Sequence, residues 1–187
     1  MTDQELLLAY EQSRDVKSLG TFVERYQNAL LRFAYHMLSD DSLAQDVVQE
    51  AFLRVARNPH RLLKVDNCHN WLIRIVRNIC IDHIRKAARR RKAMNEMAAR
   101  AVALGDDALE SQPGVSLERE EMCKMVHNAI AALKPRYREL VILKVQEGKS
   151  YREIAEITGL SATNVGYLLH QAMKALSLKL KDRDAVS

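Results

Sequence analysis

Residues 150–170 read SYREIAEITGLSATNVGYLLH, and this segment indicates two short helices joined by a tight turn. Ser150 and Glu153 have the spacing of a capping box, which starts the first helix. Gly159 ends that helix, because a residue without Cβ adopts positive φ without strain. The next serine caps a second helix, whose buried side carries Val165. The segment therefore predicts a helix-turn-helix.

A helix-turn-helix commonly places its second helix in the major groove of DNA. The alternative is a helical hairpin that binds no ligand. Ala155, Gly159 and Val165 favour the DNA-binding module, because they supply the small residue, the turn and the shared core contact that two crossing helices need. The residues of this motif that we expect to contact DNA are Arg152, Ser161, Thr163, Asn164, Tyr167, His170, Gln171 and Lys174.

The composition favours helices along the rest of the chain. Its 187 residues include only six glycines and three prolines, and 48% of the residues are hydrophobic, which is typical of a globular protein. Apolar residues recur at helical spacing before residue 93 and again after residue 117. Between these regions the periodicity is lost, and Gly105, Pro113 and Gly114 indicate a linker.

The predicted fold class is therefore all-α, with two small helical domains. An N-terminal helical bundle is expected over residues 1–93 and a C-terminal helix-turn-helix domain over residues 117–187. A flexible linker over residues 94–116 joins them.

Positive charge is concentrated in one predicted helix. The net charge of the chain is +5, but the segment from Trp71 to Lys92 contains eight Lys or Arg residues and one acid. Such a helix repels itself unless an anion lies against it, so DNA phosphate is the expected partner, and a solvated face is the alternative. An amide and a carboxylate interrupt the cations and can read base edges. The expected DNA contacts of this helix are Arg74, Arg77, Asn78, Asp82, Arg85 and Arg89.

Several other classes of protein are disfavoured. Three cysteines without a CxxC pair suit a reducing compartment, and neither a signal peptide nor a membrane-spanning run is visible, so we expect a cytoplasmic protein without membrane insertion. Cys68 beside His69 cannot supply the four ligands of a zinc site, so no metal or other cofactor is expected. Phosphate-binding loops, zinc-protease motifs and nucleophile elbows are missing, so we expect a protein with no enzymatic activity of its own and no small-molecule substrate.

Three stretches, in this order, resemble the extracytoplasmic-function sigma factors of bacterial RNA polymerase. They are Asp46–Val55 (DVVQEAFLRV), Trp71–Asn78 (WLIRIVRN) with Asp82 and Arg85 after it, and Ser150–Leu160 (SYREIAEITGL). The resemblance extends over almost the whole chain and includes the intervening linker.

The resemblance implies a role for each part. A helix carrying Asp46, Gln49, Glu50 and Leu53 would dock on the clamp helices of core RNA polymerase, which would explain an exposed apolar Leu53. The basic helix would read the minus-ten element of promoter DNA, and the loop over residues 65–70, with Asn67 and Asn70, would hold a base flipped from the non-template strand. The helix-turn-helix would read the minus-thirty-five element. An anti-sigma factor that sequesters the chain is a further implied partner.

The second helix of the motif departs from the family pattern. Gly166, Leu168, Gln171 and Met173 stand where relatives commonly carry Lys or Arg. Phosphate anchoring by this helix should therefore be weaker, and Leu168 and Met173 are expected to face a protein partner instead.

Three functions compete at this point. The leading one is a sigma factor that acts only with core polymerase. The second is an autonomous helix-turn-helix transcriptional regulator that binds duplex operators alone. The third is a helical adaptor that binds only proteins.

A linker of about 23 residues reaches roughly 75 Å, which is enough for both domains to bind promoter elements some 70 Å apart.

Overall fold

The computed structural model describes the backbone of residues 1–100 and 119–184 and the side chains of residues 1–95 and 124–180. Every regular element in these ranges is helical, which confirms the predicted all-α class. Most of the predicted linker over 94–116 lies outside the described residues. The elements in chain order are α1 (Asp3–Ser13), α2 (Val16–Leu38), α3 (Asp41–Arg57), a 3₁₀ turn (Pro59–Arg61), α4 (Cys68–Arg100), α5 (Arg119–Ala131), α6 (Pro135–Val141), a π-helical turn (Ile142–Gln146), α7 (Tyr151–Thr158) and α8 (Ala162–Asp184).

Side-chain caps define where the first three helices begin. Thr2 and Glu5 form a reciprocal capping box, in which each side chain accepts a hydrogen bond from the backbone N–H of the other. The carboxylate of Asp15 accepts from two backbone N–H groups at the start of α2. Asp40 caps α3 by accepting from the N–H of Leu43 at 2.9 Å. These short polar residues satisfy donors that a helix leaves unpaired in its first turn.

The N-terminal bundle is built around the apolar face of α2. Phe22, Leu30, Phe33 and Met37 recur at helical spacing, and all four are fully buried. The inward faces of α3 and α4 pack against this face. Burial of each such large side chain contributes about 1.5–3 kcal/mol to folding. The remaining buried residues of this bundle include Val47, Val48, Ala51, Val55, Leu72, Val76 and Ile79.

The C-terminal helices surround α6 and the π-helical turn. Four consecutive apolar residues, Leu140–Leu143, are at most 1% exposed, because α6 contacts α8, α5 and α2. The π-helical turn ends in a hydrogen bond from the N–H of Glu147 to the carbonyl of Ile142 at 3.1 Å. Gly148 then adopts φ of +63°, a conformation that glycine takes without strain and that commonly follows the end of a helix.

The helix-turn-helix forms as predicted. Ser150 and Glu153 make the expected capping box, and Gly159 ends α7 with φ of +73°. Ile154 on α7 and Val165 on α8 are both fully buried where the two helices meet. No helix in the described part of the chain is long and apolar enough to cross a bilayer.

The two halves of the chain pack against each other. α4 contacts α7, and α2 contacts α5, α6 and the π-helical turn. Arg138 of α6 donates a hydrogen bond from Nη1 to the carbonyl of Met37 on α2 at 2.7 Å. This contact between the halves affects which of the residues expected to read DNA remain exposed.

Candidate DNA interface and docking groove

The expected DNA contacts of α8 form one exposed stripe. Thr163, Tyr167, His170 and Lys174 follow one another at intervals of three or four residues, so their side chains project from the same side of the helix. All four are exposed, and Tyr167 keeps 63% of its surface accessible. The opposite side of α8 is buried in the core. The stripe is therefore accessible to a ligand.

The other expected contacts of the motif differ in their surroundings. Arg152 and Asn164 are exposed, and Gln171 is half-buried. The hydroxyl of Ser161 accepts a hydrogen bond from the backbone N–H of Asn164 at 3.2 Å, so this serine caps α8.

Two of the unusual residues of α8 lie against other parts of the protein. A Cβ on Gly166 would lie 3.4 Å from Cε2 of Tyr151, because the ring of Tyr151 lies over α8 at that point. Leu168 is half-buried and packs against the core rather than facing a partner. Met173 is 45% exposed and remains available for an apolar contact.

The basic helix presents a second exposed stripe. α4 starts at Cys68, three residues before the predicted position, and the side chain of Asn67 accepts from the backbone N–H of Asn70 at 2.9 Å in its first turn. Spacings of three or four residues place the exposed members on one face. These exposed members are Arg74, Asn78, Asp82, Arg85 and Arg89.

A small pocket lies where the start of α4 meets α7. Its volume is about 180 Å³. The loop and helix expected to hold a flipped base supply most of its wall, while Glu156 and Ile157 of α7 close one side. The residues from the loop and α4 are Val65, Asp66, Asn67, Asn70, Trp71 and Arg74.

Two expected DNA contacts of α4 face the C-terminal helices instead of solvent. Nε of Arg77 lies 2.5 Å from Oε1 of Glu139 on α6, in an ion pair whose side chains are 12% and 1% exposed respectively. Arg136 approaches the other oxygen of the same carboxylate at 3.5 Å. Because the guanidinium already has a carboxylate partner, Arg77 is not available to a phosphate in this arrangement.

Asn70 is the second expected DNA contact that faces the C-terminal helices. Its Nδ2 donates a hydrogen bond to Oε1 of Glu153 at 3.2 Å, and Asn70 is only 9% exposed. Hydrogen bonds from the backbone N–H and hydroxyl of Ser150, followed by the one from Asn70, lower the pKa of Glu153 to about 2. Glu153 therefore stays ionised at all physiological pH values while it serves both the capping box and Asn70.

Two histidines meet where α2 packs against α5. Nδ1 of His36 lies 3.1 Å from Nδ1 of His127, and the ring of His127 stacks on Tyr35 with centroids 4.9 Å apart. Burial lowers the pKa of His36, and neighbouring His127 and Arg32 lower it further. Burial also lowers the pKa of His127, to which Arg138 adds while Asp41 opposes. Both rings are therefore held neutral.

A third histidine lies between α4 and the segment before α7. Nδ1 of His69 is 3.1 Å from Nζ of Lys149, and its Nε2 is 3.6 Å from Oε2 of Glu147. Burial lowers the pKa of His69, Lys149 lowers it further, and Glu153 raises it. A neutral Nδ1 can accept from the lysine ammonium. We refer to His36, His69 and His127 as the interface histidines.

An apolar groove lies on a different side of the N-terminal bundle, between α2 and α3. It has a volume of about 400 Å³. Leu53, which the sequence singled out, is 48% exposed at its edge. The walls are formed by Leu19, Val23, Gln27, Leu31, Gln45, Val48, Gln49, Phe52, Leu53 and Ala56.

The four residues of α3 expected to bind polymerase fall at or beside this groove. Gln49 and Leu53 line it. Asp46 is exposed on the same helix, and Glu50 pairs with Arg54 across one turn at 2.5 Å. One helix thus presents apolar, amide and acidic groups together.

Sequence reasoning missed the groove and the acidic residues that meet α4. Glu139 stands directly before the buried run that begins at Leu140, and no local motif in the sequence identifies Arg77 as its partner. The sequence predicts a capping role for Glu153, and this role does not indicate its contact with Asn70. The groove requires two helices to be placed side by side, which no single segment specifies.

Two family descriptions match separate parts of the chain. The family description "Sigma-70 region 2" matches residues 22–90, and "Sigma-70, region 4" matches residues 123–176. The first range contains most of α4 and every residue of the groove lining except Leu19, and the second contains the helix-turn-helix. The chain therefore belongs to the sigma-70 family, whose members direct RNA polymerase to promoters.

Comparison with individual relatives identifies the type of sigma factor to which the chain belongs. It is 28% identical to the ECF RNA polymerase sigma factor SigW of Bacillus subtilis, over 90% of this chain and 91% of that one. It is also 28% identical to the RNA polymerase sigma-H factor of Pseudomonas aeruginosa, over 96% of this chain and 94% of that one. The protein is thus a sigma factor of the extracytoplasmic-function type.

A solved structure shares the fold. The sigma factor RpoE of Bartonella quintana, determined in complex with the anti-sigma factor NepR, superposes with a TM-score of 0.65 at 24% identity, over 88% of this chain and 98% of that one. At this level of identity the likeness concerns the arrangement of helices alone.

Proposed function

We propose that the chain acts as a bridge between core RNA polymerase and promoter DNA, with a separate surface for each contact. The groove between α2 and α3, with Asp46, Gln49, Glu50 and Leu53 around it, docks on the clamp helices of the large subunit. The face of α4 reads the minus-ten element as the strands separate. The exposed stripe of α8 reads the minus-thirty-five element as duplex.

The observation that carries this proposal is the presence of two unlike surfaces on one small bundle. An apolar groove of about 400 Å³ with a half-exposed leucine at its edge suits a protein partner. The exposed cations of α4 suit a polyanion. An adaptor that binds only proteins does not require the exposed cations of α4. A regulator that binds DNA alone does not require the apolar groove.

Within α4 the roles follow from side-chain chemistry. Arg74, Arg85 and Arg89 are positioned to hold phosphates, whereas the exposed Asn78 and Asp82 have groups that can read base edges. Asn67 and Trp71 line the pocket of about 180 Å³, which we assign to the flipped base of the non-template strand. Base flipping costs a few kcal/mol, which contacts in this pocket must offset.

We further propose that the protein works in the cytoplasm, has no catalytic activity of its own, and is regulated by an anti-sigma factor. Polymerisation is carried out by the core enzyme. Met173, 45% exposed on α8, is an apolar residue to which a regulatory partner can bind.

In vitro transcription tests the central proposal. Purified chain and core polymerase free of other sigma factors are incubated with a genomic fragment library, and the run-off transcripts are sequenced. We expect transcripts that start downstream of one shared pair of promoter elements. Transcription no greater than with core polymerase alone would contradict the proposal.

The exposed stripe of α8 keeps the autonomous regulator as a second candidate. Gel shifts on promoters from the library separate the two functions. A sigma factor should give a stable, sequence-specific complex only when core polymerase is present. Tight, specific duplex binding by the free chain would favour the regulator.

A further inference from the structure

We propose that Tyr26, held in place by Asp3, is a positioning residue for base capture: its ring supports His69 and thereby fixes the first turn of α4, which carries the base pocket. This inference rests on the proposed role of that pocket. It adds residues of α1 and α2 to the apparatus of promoter opening, although neither Asp3 nor Tyr26 lines the pocket.

The carboxylate of Asp3 connects three helices of the N-terminal bundle. Its Oδ2 accepts a hydrogen bond from the hydroxyl of Tyr26, and its Oδ1 pairs with Nη1 of Arg25, both on α2. The thiol of Cys68, the first residue of α4, also donates to it. The capping box at the start of α1 fixes the backbone around Asp3. One side chain thus joins the starts of α1 and α4 to the middle of α2.

The phenol and the thiol that donate to Asp3 keep their protons at neutral pH. Burial, the hydrogen bond to Asp3 and the charge of Asp3 raise the pKa of Tyr26 well above its usual range. Burial, the charge of Asp3 and a hydrogen bond to it raise the pKa of the Cys68 thiol to about 11. Hydrogen bonds to an ionised acceptor are stronger than those between neutral groups. The carboxylate therefore holds the phenol in one orientation.

The ring of Tyr26 transmits this orientation to the start of α4. It stacks on the imidazole of His69, with centroids 5.8 Å apart and an angle of 18° between the ring planes. Phe22, which is fully buried, packs against the same phenol ring with centroids 5.1 Å apart. Tyr26 is thus fixed by its hydroxyl and by its ring, so it gives His69 a firm support.

The turn that contains His69 also carries the pocket. The side chain of Asn67 accepts from the backbone N–H of Asn70 at 2.9 Å, and its carbonyl accepts from the N–H of Trp71 at 3.2 Å. All three of these residues line the pocket. Because they are bonded to one another around His69, a shift of that ring displaces them together. Contacts made by a displaced pocket offset less of the cost of base flipping.

The support does not depend on the C-terminal half. Asp3, Tyr26 and His69 all belong to the N-terminal bundle. Lys149 and Glu147 also contact His69, but they approach its two ring nitrogens and not its stacked face. The stack on Tyr26 is therefore available whatever lies against the edge of the imidazole.

Tyr26→Phe in the full-length chain is the main test, because it removes the hydrogen bond to Asp3 and keeps the ring. The matched control is Tyr10→Phe, which removes a part-buried hydroxyl of the same bundle that donates to the carbonyl of Ala56 at 3.4 Å. Each variant is combined with core polymerase on two templates. One is a promoter duplex from the fragment library, and the other is the same promoter with a non-complementary, already open minus-ten region.

We expect Tyr26→Phe to lower run-off transcription from the duplex about tenfold relative to Tyr10→Phe, the factor that corresponds to one hydrogen bond to a charged group. Transcription from the open template and the affinity for core polymerase should be nearly unchanged. A loss of folded protein would lower transcription from both templates together. Equal losses on the two templates would therefore overturn the inference, as would equal activity of the two variants on the duplex.

Asp3→Asn provides a second variant, since it keeps the size of the side chain and removes its charge. Transcription from the duplex should fall in the same direction but less, and an unchanged rate would overturn the inference. The double variant should lose no more activity than Tyr26→Phe alone, because one hydrogen bond can be removed only once. Additive losses would show that the two residues act separately.

Hydrogen exchange separates this inference from the proposed function. In the free chain, the backbone amides of the first turn of α4 should exchange faster in Tyr26→Phe than in Tyr10→Phe, because exchange reports local opening of a helix. Equal exchange in the two variants would overturn the inference. Faster exchange together with no promoter-specific transcription by the parent chain would instead contradict the proposed function.

Discussion

Truncation of Leu53 provides the sharpest test of the docking groove. The side chain is 48% exposed, and complete burial of a leucine is worth about 1.5–3 kcal/mol, so covering its exposed half contributes about 1 kcal/mol. Leu53→Ala should therefore raise the Kd for core polymerase about fivefold. Leu53→Asp should weaken binding further, because docking would bury a carboxylate against an apolar surface.

The assay is a titration of fluorescently labelled chain with core polymerase, in the absence of DNA. Leu8→Ala is the matched control, since Leu8 is 43% exposed on α1 and does not line the groove. Equal losses of affinity for Leu8→Ala and Leu53→Ala would refute the placement of the polymerase contact. Unchanged binding by Leu53→Asp would refute it more strongly.

Three other predictions concern stability and promoter opening. Burial lowers the pKa of the interface histidines below 6.5, so protons bind the unfolded state first as the pH falls. The stability that is present above pH 6.5 should therefore be lost as the pH falls below that value. Thermal unfolding from about pH 7.5 to 5.5 measures this loss, which should be smaller in His127→Gln. Asn78→Ala should impair promoter opening in run-off transcription more than Lys174→Ala does, and equal effects would count against the role of α4. Gly166→Ala should raise the free energy of unfolding in urea by about 0.5–1 kcal/mol, because alanine favours the helix and its Cβ would meet only a ring edge at 3.4 Å. Gly159→Ala should lower it by about 1–2 kcal/mol, because Gly159 has a positive φ. Destabilisation by Gly166→Ala would mean that the ring of Tyr151 cannot adjust.

The features that sequence reasoning predicted well are those governed by neighbouring residues. A capping box depends on two positions three apart, and the predicted box at Ser150 forms. The turn at Gly159 depends on the absence of a single Cβ. The buried faces of α2 and α8 follow from periodicity. Helix class and the helix-turn-helix were therefore accessible from the sequence alone.

The features that were missed depend on residues far apart in the chain. Arg77 and Glu139 are 62 positions apart, and neither belongs to a local motif that names the other. Hydrophobic periodicity assumes that a helix buries one side, but α4 packs against α2 and α3 and also against α7. A helix that packs on more than one side buries more of its surface than a single apolar stripe, and Ile73 of α4 is fully buried. The sequence predicts that this helix starts at Trp71, three residues late, because Cys68 and His69 fall in the loop expected over residues 65–70.

The position of Trp71 gives the protein a built-in optical reporter. It is the only tryptophan of the chain, and it is half-buried in the wall to which Glu156 and Ile157 of α7 also contribute. Indole emission shifts to longer wavelength when water reaches the ring and is quenched when a nucleobase stacks on it. Unlabelled protein in a simple fluorimeter should therefore distinguish separation of its two halves from capture of a base.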